Sequence, residues 1–351
     1  MSSTLTALLS RQKAKTRLAA MVLLVVMVLF TLAAVGFGRA DIGIEDAAVV
    51  IYGKITGNAD SYSHVNGAIT AIIWDIRLPR ILAAIAVGGG LAVAGVVFQA
   101  LLRNPLADSY TMGVSTGAAF GASIAIYLNI LVQSSLPVTL LAFGGAVATL
   151  LVVMSMARVG GYVSSANLVI AGIIVSSILS AAISMVKSLA GEQVSAIVAW
   201  LIGSLAAKSW EHVVYGWPLI LAACFVCYYY AEDLNVVSLG DCEARSLGIN
   251  ASRLRTILLA AGALITAVCV AISGIIGFVG LIVPHMVRML TGSDNKALIP
   301  LSGLTGGILL LTADTFGRSV GNIEIPVGVL TTLLGGPFFV YIFRMRNKTL
   351  Q

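Results

Sequence analysis

Ten long apolar runs, separated by short polar breaks, decide what this chain can fold into. About 20 consecutive apolar residues suffice for a helix to cross the hydrocarbon of a bilayer. In lipid only helices and closed barrels satisfy every backbone polar group. Barrel strands are short and alternate in polarity, whereas these runs are continuous, so the chain reads as an all-α polytopic membrane protein. Composition agrees: 59% of the 351 residues are hydrophobic, 10% are charged, and the mean hydropathy is +1.00. A soluble domain carries about 25% charged residues, and this chain has too few to clothe a water-facing surface.

The expected spans lie near residues 18–37, 78–101, 111–131, 137–157, 166–188, 213–230, 254–273, 276–291, 297–315 and 326–343. Together they form one transmembrane domain over 18–343, flanked by an N-terminal tail (1–17) and a C-terminal tail (344–351). The first run, Leu18 to Phe37, follows Arg11, Lys13, Lys15 and Arg17, and exceeds the apolar core of a signal peptide. It is therefore expected to remain as a helix with a cytoplasmic N-terminus, and ten spans return the C-terminus to the same side. With that topology 14 of the 21 Lys and Arg fall on the cytoplasmic side, leaving Arg39, Lys54, Arg77, Arg80, Lys187, Lys208 and Arg318 outside. Most acids, including Asp41, Glu45, Asp46 and Asp60 of the outer connection 38–76, are placed with those seven. The bias has the sign that membrane insertion demands. The net charge of +6 is thus topogenic, with no basic patch for nucleic acid.

Connection 191–212 includes a stretch, Gln193–Leu205, too short to span and suited to a half-inserted helix. The small-residue pairs Gly117/Gly121 and Gly303/Gly307 are spaced for close helix approach within the chain. Arg80-Ile-Leu-Ala-Ala is faintly echoed at Arg255-Thr-Ile-Leu-Leu-Ala-Ala, on a helix expected to run the other way, as in inverted repeats.

No catalytic set is visible. His64, His212 and His285 lack acidic or cysteine partners at ligand spacing, and Cys224 and Cys227 sit inside an apolar run, so no metal site is expected. No phosphate-binding loop is present, so any ATP must be handled by another chain. The densest polar stretch inside the transmembrane region is 231–253. Within it, segment 239–249 places Asp241 and Glu243 early, Arg245 later and Gly248 last, which suits a short helix closed by a left-handed glycine. On physics alone this is either a solvated loop or a protrusion that a soluble motor could grip.

Several motifs resemble, in order, the FecCD/BtuC-type permease family: Arg77-Leu-Pro-Arg80, Gln99-Ala-Leu-Leu-Arg-Asn104-Pro105-Leu106-Ala-Asp108, Gly113-Val-Ser-Thr-Gly117, Glu243-Ala-Arg-Ser-Leu-Gly-Ile249, Gly274 through His285, and Ala313-Asp314 through Gly328. The resemblance implies a ten-helix type II ABC importer permease. It would work as a homodimer or paralogous heterodimer with two cytoplasmic ATPases and a soluble or lipid-anchored binding protein. ATP and Mg would sit on the ATPase, and this chain would carry no cofactor and catalyse no bond chemistry. The cargo would be a ferric siderophore, haem or cobalamin, with oxyanions in some members.

Residue by residue, the resemblance assigns ATPase coupling to Asp241, Glu243, Ala244, Arg245, Ser246, Leu247 and Gly248, and docking of binding-protein carboxylates to Arg77, Arg80 and Arg318. It assigns the cytoplasmic gate to Asn104, Leu106, Ser165 and Ala166. Asp314 and Arg318 stand four apart, so they share a helix face and can pair, which competes with docking by Arg318. The alternative class is an ion-coupled secondary transporter. It expects carboxylates near the bilayer midplane, but the acids here cluster in loops and at helix ends. An intramembrane enzyme would need converging catalytic side chains, and none stands out.

Overall fold

A computed structural model describes residues 2–38, 42–159, 162–320 and 324–348. Arg39 and Asp41, expected on the outer side, lie outside the described residues, as does the end of the C-terminal tail from 349.

The chain order is α1 (Ser2–Gly36), α2 (Ile44–Thr56), α3 (Gly67–Ala71), α4 (Leu78–Leu102), α5 (Val114–Val132), α6 (Val138–Ala157) and α7 (Ser165–Ala190). It continues with α8 (Val194–Ile202), α9 (Trp210–Tyr229), α10 (Ala231–Leu239), α11 (Asp241–Ser246), α12 (Ala251–Ser273), α13 (Val279–Thr291), α14 (Asn295–Ser319) and α15 (Val327–Lys348). A two-residue ribbon, β1 (Arg158–Val159) with β2 (Tyr162–Val163), joins α6 to α7. Among the described residues, eight helical stretches are long and apolar enough to cross a membrane, and two shorter apolar helices, Val279–Thr291 and Val327–Val340, complete the ten expected.

Two boundaries differ from expectation for physical reasons. The second span begins at Gly67, because α3, a π-helical turn (Ile72–Arg77) and α4 form one rod. Pro79 cannot donate to the carbonyl four residues earlier, and the wider turn before it absorbs that lost bond. The eighth span starts only at Val279, since Phe278 is held left-handed at φ 67°. Its 13 residues reach about 20 Å, short of the ~30 Å hydrocarbon.

α4 is the axis of the bundle. It is buried along almost its whole length and packs most extensively on α14, then on α12, α13 and α9. Two glycines bring backbones into contact there: a Cβ on Gly95 would stand 1.8 Å from the Gly280 carbonyl oxygen, and one on Gly88 2.3 Å from that of Gly306. The expected Gly117/Gly121 approach is present against α6, where a Cβ on Gly121 would lie 2.1 Å from the Leu141 carbonyl oxygen. In the Gly303/Gly307 stretch the tightest approach to α4 falls instead on the intervening Gly306. α1 contrasts with α4, because its apolar span is only 11% buried and its flank is left for lipid.

Candidate functional site

Polar side chains gather at the two ends of the bundle. At one end, α10 and α11 form a knuckle. The Ala244 amide donates to the Gly240 carbonyl at 3.0 Å, and Ile249 closes the helix by donating to Ala244 at 2.8 Å. Gly248 takes φ 78°, the left-handed terminator expected from sequence. Asn250 then caps α12 by accepting from the Arg253 amide at 3.0 Å. Ala244 is fully buried and roots the knuckle, while Cys242, Glu243, Arg245, Ser246, Leu247 and Gly248 are exposed. Leu247 is 67% exposed and Leu239 74%, which puts apolar tips on a polar surface.

Asp241, the first residue of α11, turns inward. Arg255 of α12 donates to both its oxygens, at 2.5 and 2.9 Å, and Arg103 at the end of α4 donates to Oδ1 at 2.9 Å. The Arg255 hydrogen bonds, helped by the charges of Arg255, Arg103 and Arg245, hold the Asp241 carboxyl below its ordinary value of 3.8 against the opposing effect of burial. Arg103 and Arg255 carried no site assignment from sequence, where each reads as one more topogenic charge.

A cavity of about 870 Å³ opens beside α11, lined by Arg103, Ser165, Ala166, Asp241, Arg245 and Arg255 among others. Ser165 Oγ donates to the Leu101 carbonyl at 3.0 Å, tying the start of α7 to the end of α4. Asn104 accepts from the Leu106 amide at 3.0 Å and so shapes the turn after α4. Asn104 lines a second cavity of about 190 Å³ with Gln99, Arg288 and Asn295. The expected gate residues are therefore split: Ser165 and Ala166 line one cavity, Asn104 the other, and Arg103 lines both.

At the opposite end, Arg80 donates to Asp314 through Nε (3.0 and 3.1 Å) and Nη2 (3.0 Å), and to Glu324 through Nη1 (3.0 Å). Arg318 Nε lies 3.9 Å from Asp314, an ionic contact too long for a hydrogen bond. Arg77 and Arg318, assigned to docking together with Arg80, make buried contacts here. Arg77 donates to the Val35 and Gly36 carbonyls, and Arg318 to that of Ala34, so both guanidinium groups cap the last turn of α1. Cations suit a helix C-terminus, where carbonyls lack partners. Arg77 and Arg318 are buried, and Arg80 also pairs with Glu324, which reaches the surface.

The described residues form a helical membrane bundle with a rooted, exposed knuckle at one end and a buried arginine–carboxylate cluster at the other. The model of the FecCD transport family matches residues 22–345, and the chain belongs to that family. It is 40% identical over 293 residues to the hemin transport system permease protein HmuU of Yersinia pestis, covering 81% of this chain and 86% of that one. It is 40% identical to the cobalamin import system permease protein BtuC of Halobacterium salinarum (79% and 74% covered) and 33% identical to the molybdate import system permease protein MolB of Haemophilus influenzae (93% and 95%). A solved inward-facing metal-chelate type ABC transporter superposes with TM-score 0.78 at 30% identity, covering 94% of this chain and 99% of that one. The chain is thus the permease subunit of an ABC importer, with ATP hydrolysis on a separate chain. Family membership sets aside the secondary-transporter alternative.

Proposed function

We propose that this permease admits a metal chelate, a ferric siderophore first and haem or cobalamin next, across the cytoplasmic membrane by alternating access. Relatives named for hemin, cobalamin and Fe(3+)-citrate support the chelate class. In this reading the α11 end faces the cytoplasm with both termini, two copies of the chain or two paralogues pair around the path, and an ATPase carrying ATP and Mg seats each knuckle. A soluble or lipid-anchored binding protein delivers the cargo to the Arg80 end.

The observation that carries the reading is the knuckle itself. A six-residue helix with a buried Ala244 root and an exposed Leu247 tip contributes nothing to the bundle's own core at that tip. Leu239 and Leu247 together offer a soluble partner apolar area to cover beside this polar helix. Glu243, Arg245 and Ser246 would rim that contact. Docking at the other end rests on Arg80, since an incoming carboxylate can compete with Glu324 for Nη1, while Arg77 and Arg318 hold α1 in place behind it. Asn104 and Leu106, with Ser165 and Ala166, would form the inner constriction once two subunits meet.

The test is co-purification of the partner ATPase with wild-type permease and with Leu247→Asp. The wild type should retain the ATPase through gel filtration, and the variant should lose it while remaining folded. Retention of the ATPase by Leu247→Asp would remove the knuckle from the contact.

A further inference from the structure

We propose that Arg103 is a positioning residue that carries the movement of α11 to the Asn104–Leu106 turn. The inference rests on the permease reading above and adds a residue and a route to it.

Arg103 ends α4 in the left-handed region, at φ 49° and ψ 34°. That conformation strains an L side chain and is usually left to glycine. Arg103 Nη2 donates both to the Val237 carbonyl in the last turn of α10 and to Asp241 Oδ1 at the start of α11, each at 2.9 Å. One guanidinium thus grips the two helices of the knuckle on either side of Gly240. Asp241 is fixed in turn by the two-point contact from Arg255, which ties α11 to α12.

The backbone of Arg103 leads directly into Asn104, whose side chain shapes the turn that presents Leu106. The neighbouring carbonyl of Leu101 holds Ser165, so both halves of the candidate gate hang from this one helix end. Four residues earlier, Gln99 Nε2 donates to the Gly280 and Leu281 carbonyls of α13, at 3.4 and 3.1 Å, and Gln99 Oε1 accepts from Arg288 at 3.0 Å. The shaft of α4 is therefore pinned, and displacement of α11 is passed to the short stretch beyond Gln99.

A purely stabilising role is a poor account of this arrangement. The Arg103–Asp241 pair is 41% and 43% exposed on its two sides, and exposed ion pairs add little to stability. What the contact does fix is geometry. A topogenic role would require only a positive charge, with no need for acceptors on two helices.

The experiment reconstitutes permease, partner ATPase and binding protein in proteoliposomes. Uptake of a radio-iron-loaded hydroxamate siderophore, labelled haem and labelled cobalamin is measured alongside phosphate release for wild type, Arg103→Met and Arg103→Lys. Arg103→Met should lower cargo moved per ATP by about five-fold or more, with its thermal unfolding midpoint close to wild type. Arg103→Lys keeps a donor for both acceptors and should recover most of the ratio. A wild-type ratio in Arg103→Met, or a loss that Arg103→Lys does not relieve, overturns the proposal while the importer reading stands. Absence of ATP-driven uptake of every probe by the wild type overturns the chelate reading, and the three forms are then compared by the phosphate release that binding protein stimulates, where an unchanged Arg103→Met overturns this proposal.

Discussion

Replacing Asp314 by Asn removes the only carboxylate within reach of Arg318 among the described contacts and the main partner of Arg80. Asp314 is 1% exposed in its side chain, Arg80 11% and Arg318 6%, so neither cation can recover its hydration by a small shift. Two Arg80 N–H groups bond to this carboxylate, and net values of about 1.5–3 kcal/mol per charged hydrogen bond suggest a loss of roughly 3–6 kcal/mol. Breaking a buried pair from one side costs about 3–5 kcal/mol by an independent route. Asn keeps one acceptor oxygen, so Asp314→Asn belongs near 3 kcal/mol and Asp314→Ala near 5. Glu324→Gln is the internal control, because Glu324 is 39% exposed and its pair with Arg80 should contribute about 1 kcal/mol or less. The assay is the thermal unfolding midpoint in detergent, followed by gel filtration. The order Asp314→Ala, Asp314→Asn, Glu324→Gln is expected, from most to least destabilised. Arg80→Met combined with Asp314→Leu should recover part of the loss, since one uncompensated charge leaves together with its partner. Equal midpoints for Asp314→Asn and Glu324→Gln would refute the burial of this pair and the organisation of that end.

Three further outcomes follow from other contacts. Gly95→Ala must push α4 and α13 apart by roughly 1.5 Å to restore a ~3.3 Å carbon–oxygen contact. That should cost about 1–3 kcal/mol, and a neutral thermal shift would contradict the close approach. Gln99→Leu should cost about 1–3 kcal/mol, because Pro284 cannot donate to the Gly280 carbonyl four residues before it and Gln99 supplies a donor instead; unfolding midpoints of the variant and wild type decide it. For Asp241, the folded carboxyl titrates below its ordinary 3.8, so its contribution is fully present above that value and lost only as pH falls further, through the folded value. Stability measured between pH 5 and 8 should not differ in slope between wild type and Asp241→Asn, and a slope difference in that range would show that Asp241 is not held as described.

Much of the fold was legible because the spans rest on hydropathy alone, and their order needs no knowledge of packing. Hydropathy is blind to what covers an apolar helix. α1 and the Gly67–Leu102 rod have mean hydropathies of 3.0 and 2.4 in their apolar windows, yet 11% of one window and 89% of the other is buried. Glycine count in α4 was the available clue, since small residues mark helices that others approach. The knuckle was legible from Gly248 and the acid-to-base order before it, which are local signals. The partners of its first residue were not, because Arg103 and Arg255 lie 138 and 14 residues from Asp241 and sequence gives no register between those helices. The same limit applies at the other end. Asp314 and Arg318 share a face as spacing requires, but the stronger partner of Asp314 is Arg80, 234 residues away, and Arg318 is drawn to the end of α1.

The central claim is that this chain moves cargo only under the power of a separate ATPase. The direct measurement is cargo uptake into proteoliposomes holding the wild-type permease with and without its ATPase, with ATP supplied on the ATPase side and binding protein on the other. Uptake that requires both ATP and the ATPase, and hydrolysis that rises when loaded binding protein is added, is the expected result. Uptake by the permease alone, driven by an ion gradient, would contradict the account.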